Sequence, residues 1–254
     1  MSYGGNGDRG PFLNTINWVF NAIAFAAVLL RFGTHIIREK QRWELDDFFI
    51  ILAMVVNLAR SICLSIAISR GFGQHLAILI EKSPPNTTAL LHLMVVIQAV
   101  GLWTFALPKL PVASLLVRLF GKVNRLAYVV YPLVGLLITF VTVTTITTFQ
   151  QCKPVAAQWD SNIPGHCWNR SVNIGLGYFV GSLSASLDFG FALYAVVTVM
   201  SLNMTSVQKI VIASSMGLGF GACAVSIYKL TIIKEINNIS DPTWATVPLE
   251  VWNR

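Results

Sequence analysis

The chain of 254 residues is 55% hydrophobic and only 11% charged, where a soluble domain carries about 25% charged residues. With a mean hydropathy of +0.66, this balance excludes a water-soluble globule, a disordered chain and a collagen-like repeat, and it predicts several helices spanning a lipid bilayer. The formal charge of +7 includes no Lys/Arg run able to track a nucleic-acid backbone, so no nucleic-acid partner is expected and the excess is read as orienting the protein in its membrane.

A Gly-rich stretch opens the chain with no apolar h-region, so no cleavable signal peptide is expected. After a short outer segment, 1–14, a single bundle domain is predicted over 15–254. Apolar runs of about 20 residues, the length that crosses a bilayer, fall near 15–33, 47–68, 89–117, 127–149, 173–200 and 210–233. The stretch 243–252, after Asp241-Pro242, reads as the start of a partial seventh helix. The expected fold is therefore all-α, a polytopic helix bundle.

Orientation follows from the short loops. Arg38, Lys40 and Arg42 cluster in the first and Arg118, Lys122 and Arg125 in the third, which places both in the cytosol and the N-terminus outside. The N-x-S/T sequons at Asn86, Asn169 and Asn238 then all fall in outer loops and are candidate glycosylation sites, while Asn203 falls inside. Cys152 and Cys167 share the outer loop after the fourth span, where an oxidising lumen permits a disulfide. Cys63 and Cys223 read as small hydrophobes. With four cysteines and no C-x-x-C pair, no metal site is expected.

Ionisable groups inside spans cost about 2.5–3.5 kcal/mol each on insertion scales, so those that occur are candidates for function. With helices alternating in direction, Arg60 and Asp188 fall near mid-membrane, His92 and Lys229 toward the outer face and Lys109 toward the inner face. A polar pocket opening outward gathers Arg60, His92, Gln98, Asp188 and Lys229, with Asp188 as acid or base beside His92, and with Arg60 or Lys229 as its ion partner. Trp103 and Lys109 complete the expected ligand-binding set; the plainer reading of these side chains is an interhelical ion pair, a stem that snorkels, or bundle core. Asp46-Asp47 admits two readings: a cation or diphosphate site, or a cap that complements the helix dipole. Gly71-Phe72-Gly73 reads as a turn, and the G-x-x-x-G pairs Gly177/Gly181 and Gly217/Gly221 as packing seams.

Taken in order, Asp46-Asp47, Gly71-Phe72-Gly73-Gln74-His75, Lys109 with Arg118-Leu119-Phe120, Cys152-Lys153-Pro154-Val155, Trp159, Cys167, Asp188, and Leu202, Met204 and Lys209 resemble the fungal rhodopsin-like integral membrane proteins, which include satratoxin-cluster membrane proteins and seven-helix surface-sensing receptors. The resemblance implies a seven-helix, rhodopsin-like bundle and a setting in secondary metabolism. The chain departs from the family pattern at Lys109-Leu110-Pro111, where the proline removes a backbone donor and is expected to loosen the third span. No retinal is expected, because no lysine follows Lys234 to form a Schiff base on a last helix.

Three functional readings stay open: a membrane-embedded handler of a lipophilic small molecule, such as a cyclase or isomerase using Asp188; a receptor-like sensor of a hydrophobic cue; and a non-catalytic pathway scaffold. The membrane, endoplasmic reticulum or plasma membrane, and the oligomeric state stay open as well.

Overall fold

The computed structural model describes residues 9–37, 45–74, 79, 84–120, 126–160 and 163–201, together with the single positions 221, 224, 225, 228 and 250. Helix α1 runs Gly10–Ile37, α2 Leu45–Ser69, α3 Pro84–Ala106, α4 Lys109–Phe120, α5 Ala127–Phe149 and α6 Arg170–Ser201. Among the described residues, five stretches are long and apolar enough to cross a membrane, one of them, Asn86–Arg118, made of α3 and α4 together. They fall on the first five predicted spans. The predicted sixth span and the stretch 243–252 lie outside the described residues, apart from the single positions named above, and so do Lys229, Asn203 and Asn238.

The helices are apolar all round, as lipid requires of a spanning element. In α5 the buried residues are Val130, Val134, Leu137, Val141, Thr144 and Thr148, alternating four and three residues apart along one seam. The opposite face carries Tyr128, Val129, Tyr131, Leu136, Val143 and Ile146, all exposed. Exposure of so many large apolar groups would be costly in water and is the expected outer face in a bilayer. The threonines of α5 satisfy themselves: Thr139, Thr142, Thr144 and Thr145 each donate to the carbonyl four residues back, at 2.8–2.9 Å.

Two apolar cores result among the described residues. Ala106, Ala113, Leu116, Val134, Leu137, Val180 and Leu187 join α3 to α6 in one. Leu13, Leu64, Ala67, Phe72, Leu79, Leu90 and Ile97 join α1, α2 and α3 in the other. Between α1 and α2 runs a polar ladder: Ser65 donates to Oδ1 of Asn14 at 2.8 Å, Asn21 to the Ser61 hydroxyl at 2.7 Å, and Asn57 to the side-chain oxygen Oδ1 of Asn21 at 2.8 Å. In lipid such bonds hold helices together where no hydrophobic force does.

The third span is broken. Leu107 and Pro108 form a turn between α3 and α4, because Pro108 has no N–H and the ring of Pro111 crowds the carbonyl of Leu107, four residues before it. The break sits one turn before Pro111 and makes Lys109 the first residue of α4. A second turn follows α2, where Gly71 and Gly73 take φ of 105° and 100°. A Cβ at Gly73 would stand 2.7 Å from the backbone nitrogen of Gly10, and the Arg9 N–H donates to the Gly73 carbonyl at 3.3 Å. The glycine turn thus seats the start of α1.

Among the described residues, nothing lies within 4 Å of where a Cβ would stand at Gly177 or Gly221. Gly217, the other member of the second expected seam, lies outside the described residues, and among the described residues the interhelical contacts are carried by the aliphatic seam and the polar ladder.

Candidate functional site

The loop between α5 and α6 is built around a disulfide. Cys152–Lys153 (β1) pairs antiparallel with His166–Cys167 (β2), with Cys152 opposite Cys167, and the two sulfurs are bonded. Gln158 fastens this loop to the helix below by donating to the Thr148 carbonyl at 3.0 Å, and Asn173 of α6 donates to the Gln151 side chain at 3.1 Å. The ring of Trp159 lies 4.5 Å from that of His92 on α3. His92 therefore contacts the loop and does not reach Asp188 through any described bond.

Asp188 of α6 accepts a hydrogen bond from the Lys109 ammonium at 2.5 Å, both side chains being largely buried, at 19% and 9% exposure. The break at Pro108 is what allows this. It starts a new helix at Lys109 and releases that residue from the register of α3, so its stem reaches α6 rather than lipid. The sequence reading gave Asp188 a different partner, Arg60 or Lys229; the ion pair is with Lys109. Trp103, one and a half turns earlier, is half-buried against the core that contains Ala106 and Leu187, whereas Gln98 is exposed.

Arg60 has no exposure at all. Its Nη2 donates to Oε2 of Glu250, 190 residues away, in a second buried ion pair. Glu250 was not singled out in the sequence reading, although an acid between Leu249 and Val251 in an apolar stretch was the available signal. Among the described residues, the Nε and Nη1 atoms of Arg60 are buried with no hydrogen-bond partner.

A third ion pair joins Asp47 to Arg31 of α1, whose Nε and Nη2 both lie 3.2 Å from Oδ1. Asp46 and Asp47 are buried in the first turn of α2, where carboxylates complement the positive end of the helix dipole. Among the described residues no three His, Cys, Asp or Glu side chains converge as a metal would need. Of the sequon asparagines, Asn86 and Asn169 are exposed, and the side-chain oxygen Oδ1 of Asn169 accepts from the N–H and hydroxyl of Ser171 at 3.1 and 2.9 Å.

Five stretches able to span a membrane among the described residues, a disulfide loop and the Lys109–Asp188 pair narrow the identity, and residues 30–254 match the family described as fungal rhodopsin domain. The chain belongs to that family. Over 138 residues the chain is 27% identical to a SAT4 family membrane protein of Emericella nidulans, a match over 54% of this chain and 35% of the relative. The chain thus spans about a third of the length of the curated relative it matches. No solved structure matches it. Membership fixes a multi-pass integral membrane protein in a lipid bilayer, and the site within this fungal rhodopsin domain has to be argued from its own side chains.

Proposed function

We propose that this protein handles a lipophilic small molecule in fungal secondary-metabolite biosynthesis, as a membrane-embedded cyclase or isomerase with Asp188 as its acid and base. The observation that carries the reading is the Lys109–Asp188 pair, held between two spanning stretches and largely shielded from the surroundings. An intramembrane carboxylate is expensive to insert and is kept where it does work.

The chemistry asked of the pair is modest. The Asp188 carboxylate removes a proton from an acidic C–H beside a carbonyl or alkene, the electron pair shifts along the conjugated system, and the same carboxyl returns the proton at another carbon. Atoms and electrons balance without an oxidant or reductant. The Lys109 ammonium stands beside the carboxylate where negative charge develops on the substrate, and a water-poor setting strengthens that attraction.

A receptor-like reading is favoured by a different observation. The Arg60–Glu250 pair ties α2 to a segment far along the chain, and such a pair is the kind of element that a ligand can break to shift a bundle between two arrangements.

Profiling lipophilic metabolites in a strain lacking the gene tests the proposal. The deletion is expected to accumulate an isomer or precursor that the native chain clears and an equally abundant Asp188→Asn chain does not. An unchanged profile with an altered response to hydrophobic cues would overturn the enzyme reading in favour of the receptor.

A further inference from the structure

The Arg60–Glu250 pair is balanced in charge and unbalanced in hydrogen bonding. Glu250 supplies the one negative charge that the guanidinium needs, through Nη2. Nε and Nη1 carry three further N–H groups between them, and both atoms are buried without an acceptor among the described residues. Arg60 itself is wholly enclosed and lies about 13 Å inside the C-terminal end of α2, beyond easy reach of bulk water. Donors left unmet in such a place are costly, and a folded membrane protein satisfies them.

The missing acceptor has a definable character. A second anion would leave the centre net negative within the membrane, which is unfavourable. A hydroxyl or amide would bring donors of its own to a centre already rich in donors. A neutral carbonyl oxygen on an apolar body supplies lone pairs and no charge.

We infer that Arg60 is the binding residue for a neutral, carbonyl-bearing lipophilic molecule, held through Nε or Nη1 while Glu250 keeps the guanidinium in place. The inference rests on the reading of this protein as a handler of lipophilic small molecules, and it names the substrate class. A phospholipid ester offers the same carbonyl chemistry, so the source of the oxygen has to be separated experimentally.

The test uses the full chain in nanodiscs of ether-linked phosphatidylcholine, which has no ester carbonyl. Benzophenone is the probe and diphenylmethane, which lacks only the carbonyl, its control. The native chain is expected to bind the ketone at least about ten-fold more tightly than the hydrocarbon, in line with a site that donates to an oxygen, and ultraviolet cross-linking is expected to label residues around Arg60 and Glu250. Arg60→Lys, which keeps the charge and loses the planar donor array, is expected to abolish the preference, while Arg31→Lys leaves it intact.

Should Arg60→Lys fail to fold, Glu250→Gln supplies the second arm. It leaves the guanidinium without its counter-charge, and the preference is expected to move from benzophenone to the anion diphenylacetate. Weaker ketone binding in ester-linked lipid would name a lipid carbonyl as the natural occupant, and equal binding in both lipids a small molecule; each supports the carbonyl site. Equal binding of ketone and hydrocarbon by the native chain, or a preference that survives Arg60→Lys, would overturn it and leave water as the acceptor. Neither result touches the metabolite profile of the Asp188→Asn strain, so this inference and the functional reading fail separately.

Discussion

At the scale of single residues, the buried Lys109–Asp188 pair makes a sharp energetic prediction. Removing one partner leaves the other charged group buried and alone, so Lys109→Met or Asp188→Leu alone is expected to lower stability by about 3 kcal/mol, whereas the double variant loses far less. Thermal unfolding in detergent across the double-mutant cycle checks this; equal, additive losses would show that the two side chains do not interact. The glycine turn makes a second prediction. At φ near 100°, and with its Cβ position against the backbone of Gly10, Gly73→Ala is expected to cost about 1–3 kcal/mol, while Gly135→Ala, in open space, is expected to be neutral or slightly stabilising by the same assay. The candidate residues were legible in the sequence because a charge in an apolar run stands out by its insertion cost. Their partners were not. Which carboxylate meets which ammonium depends on the rotation of each helix about its axis, and the break at Pro108 resets that rotation for Lys109.

At the scale of elements, the spans were readable to within a few residues, since length and apolarity alone decide what crosses a bilayer. The helix α1 begins at Gly10, ahead of the expected boundary at 15, because Pro11 is tolerated in a first turn and the Gly73 turn anchors Arg9. The Asn14, Asn17 and Asn21 series of α1 and the Asn57, Ser61 and Ser65 series of α2 went unread, because small uncharged polar residues barely change an apolar run; their spacing of three and four residues was the signal. Interhelical bonds of this kind contribute about 0.6 kcal/mol each on average. Asn21→Val, which removes two of them, is therefore expected to cost about 1 kcal/mol, measured as a shift in the midpoint of thermal unfolding. The Cys152–Cys167 disulfide was legible from the shared outer loop. Replacing both cysteines by serine is expected to lower stability by about 3 kcal/mol through the freed loop, and reductant is expected to have the same effect on the native chain and none on the variant.

At the scale of the whole molecule, the alternation of spans and the basic loops lead to the expectation that the disulfide loop and the exposed Asn86 and Asn169 face the outer side. Endoglycosidase digestion is expected to shift the native chain, and the shift is expected to shrink in Asn169→Gln and stay unchanged in Asn203→Gln; a shift carried by Asn203 would invert the topology. Family membership was legible from short motifs in a fixed order, because those motifs are the charges, turns and cysteines on which the bundle depends. The chemistry was less so, since it rests on contacts between distant segments, such as Arg60 with Glu250. The central claim is that Asp188 moves a proton rather than only tying α6 to α4. Exchanging the pair, with Lys109→Asp and Asp188→Lys in one chain, separates the two roles, because it preserves the ion pair and moves the carboxylate to the other helix. The metabolite profile of the deletion strain complemented by this double variant is the deciding measurement. The account predicts a folded, abundant protein and a profile that stays that of the deletion; a profile restored to that of the native chain would show that the pair is structural and would contradict it.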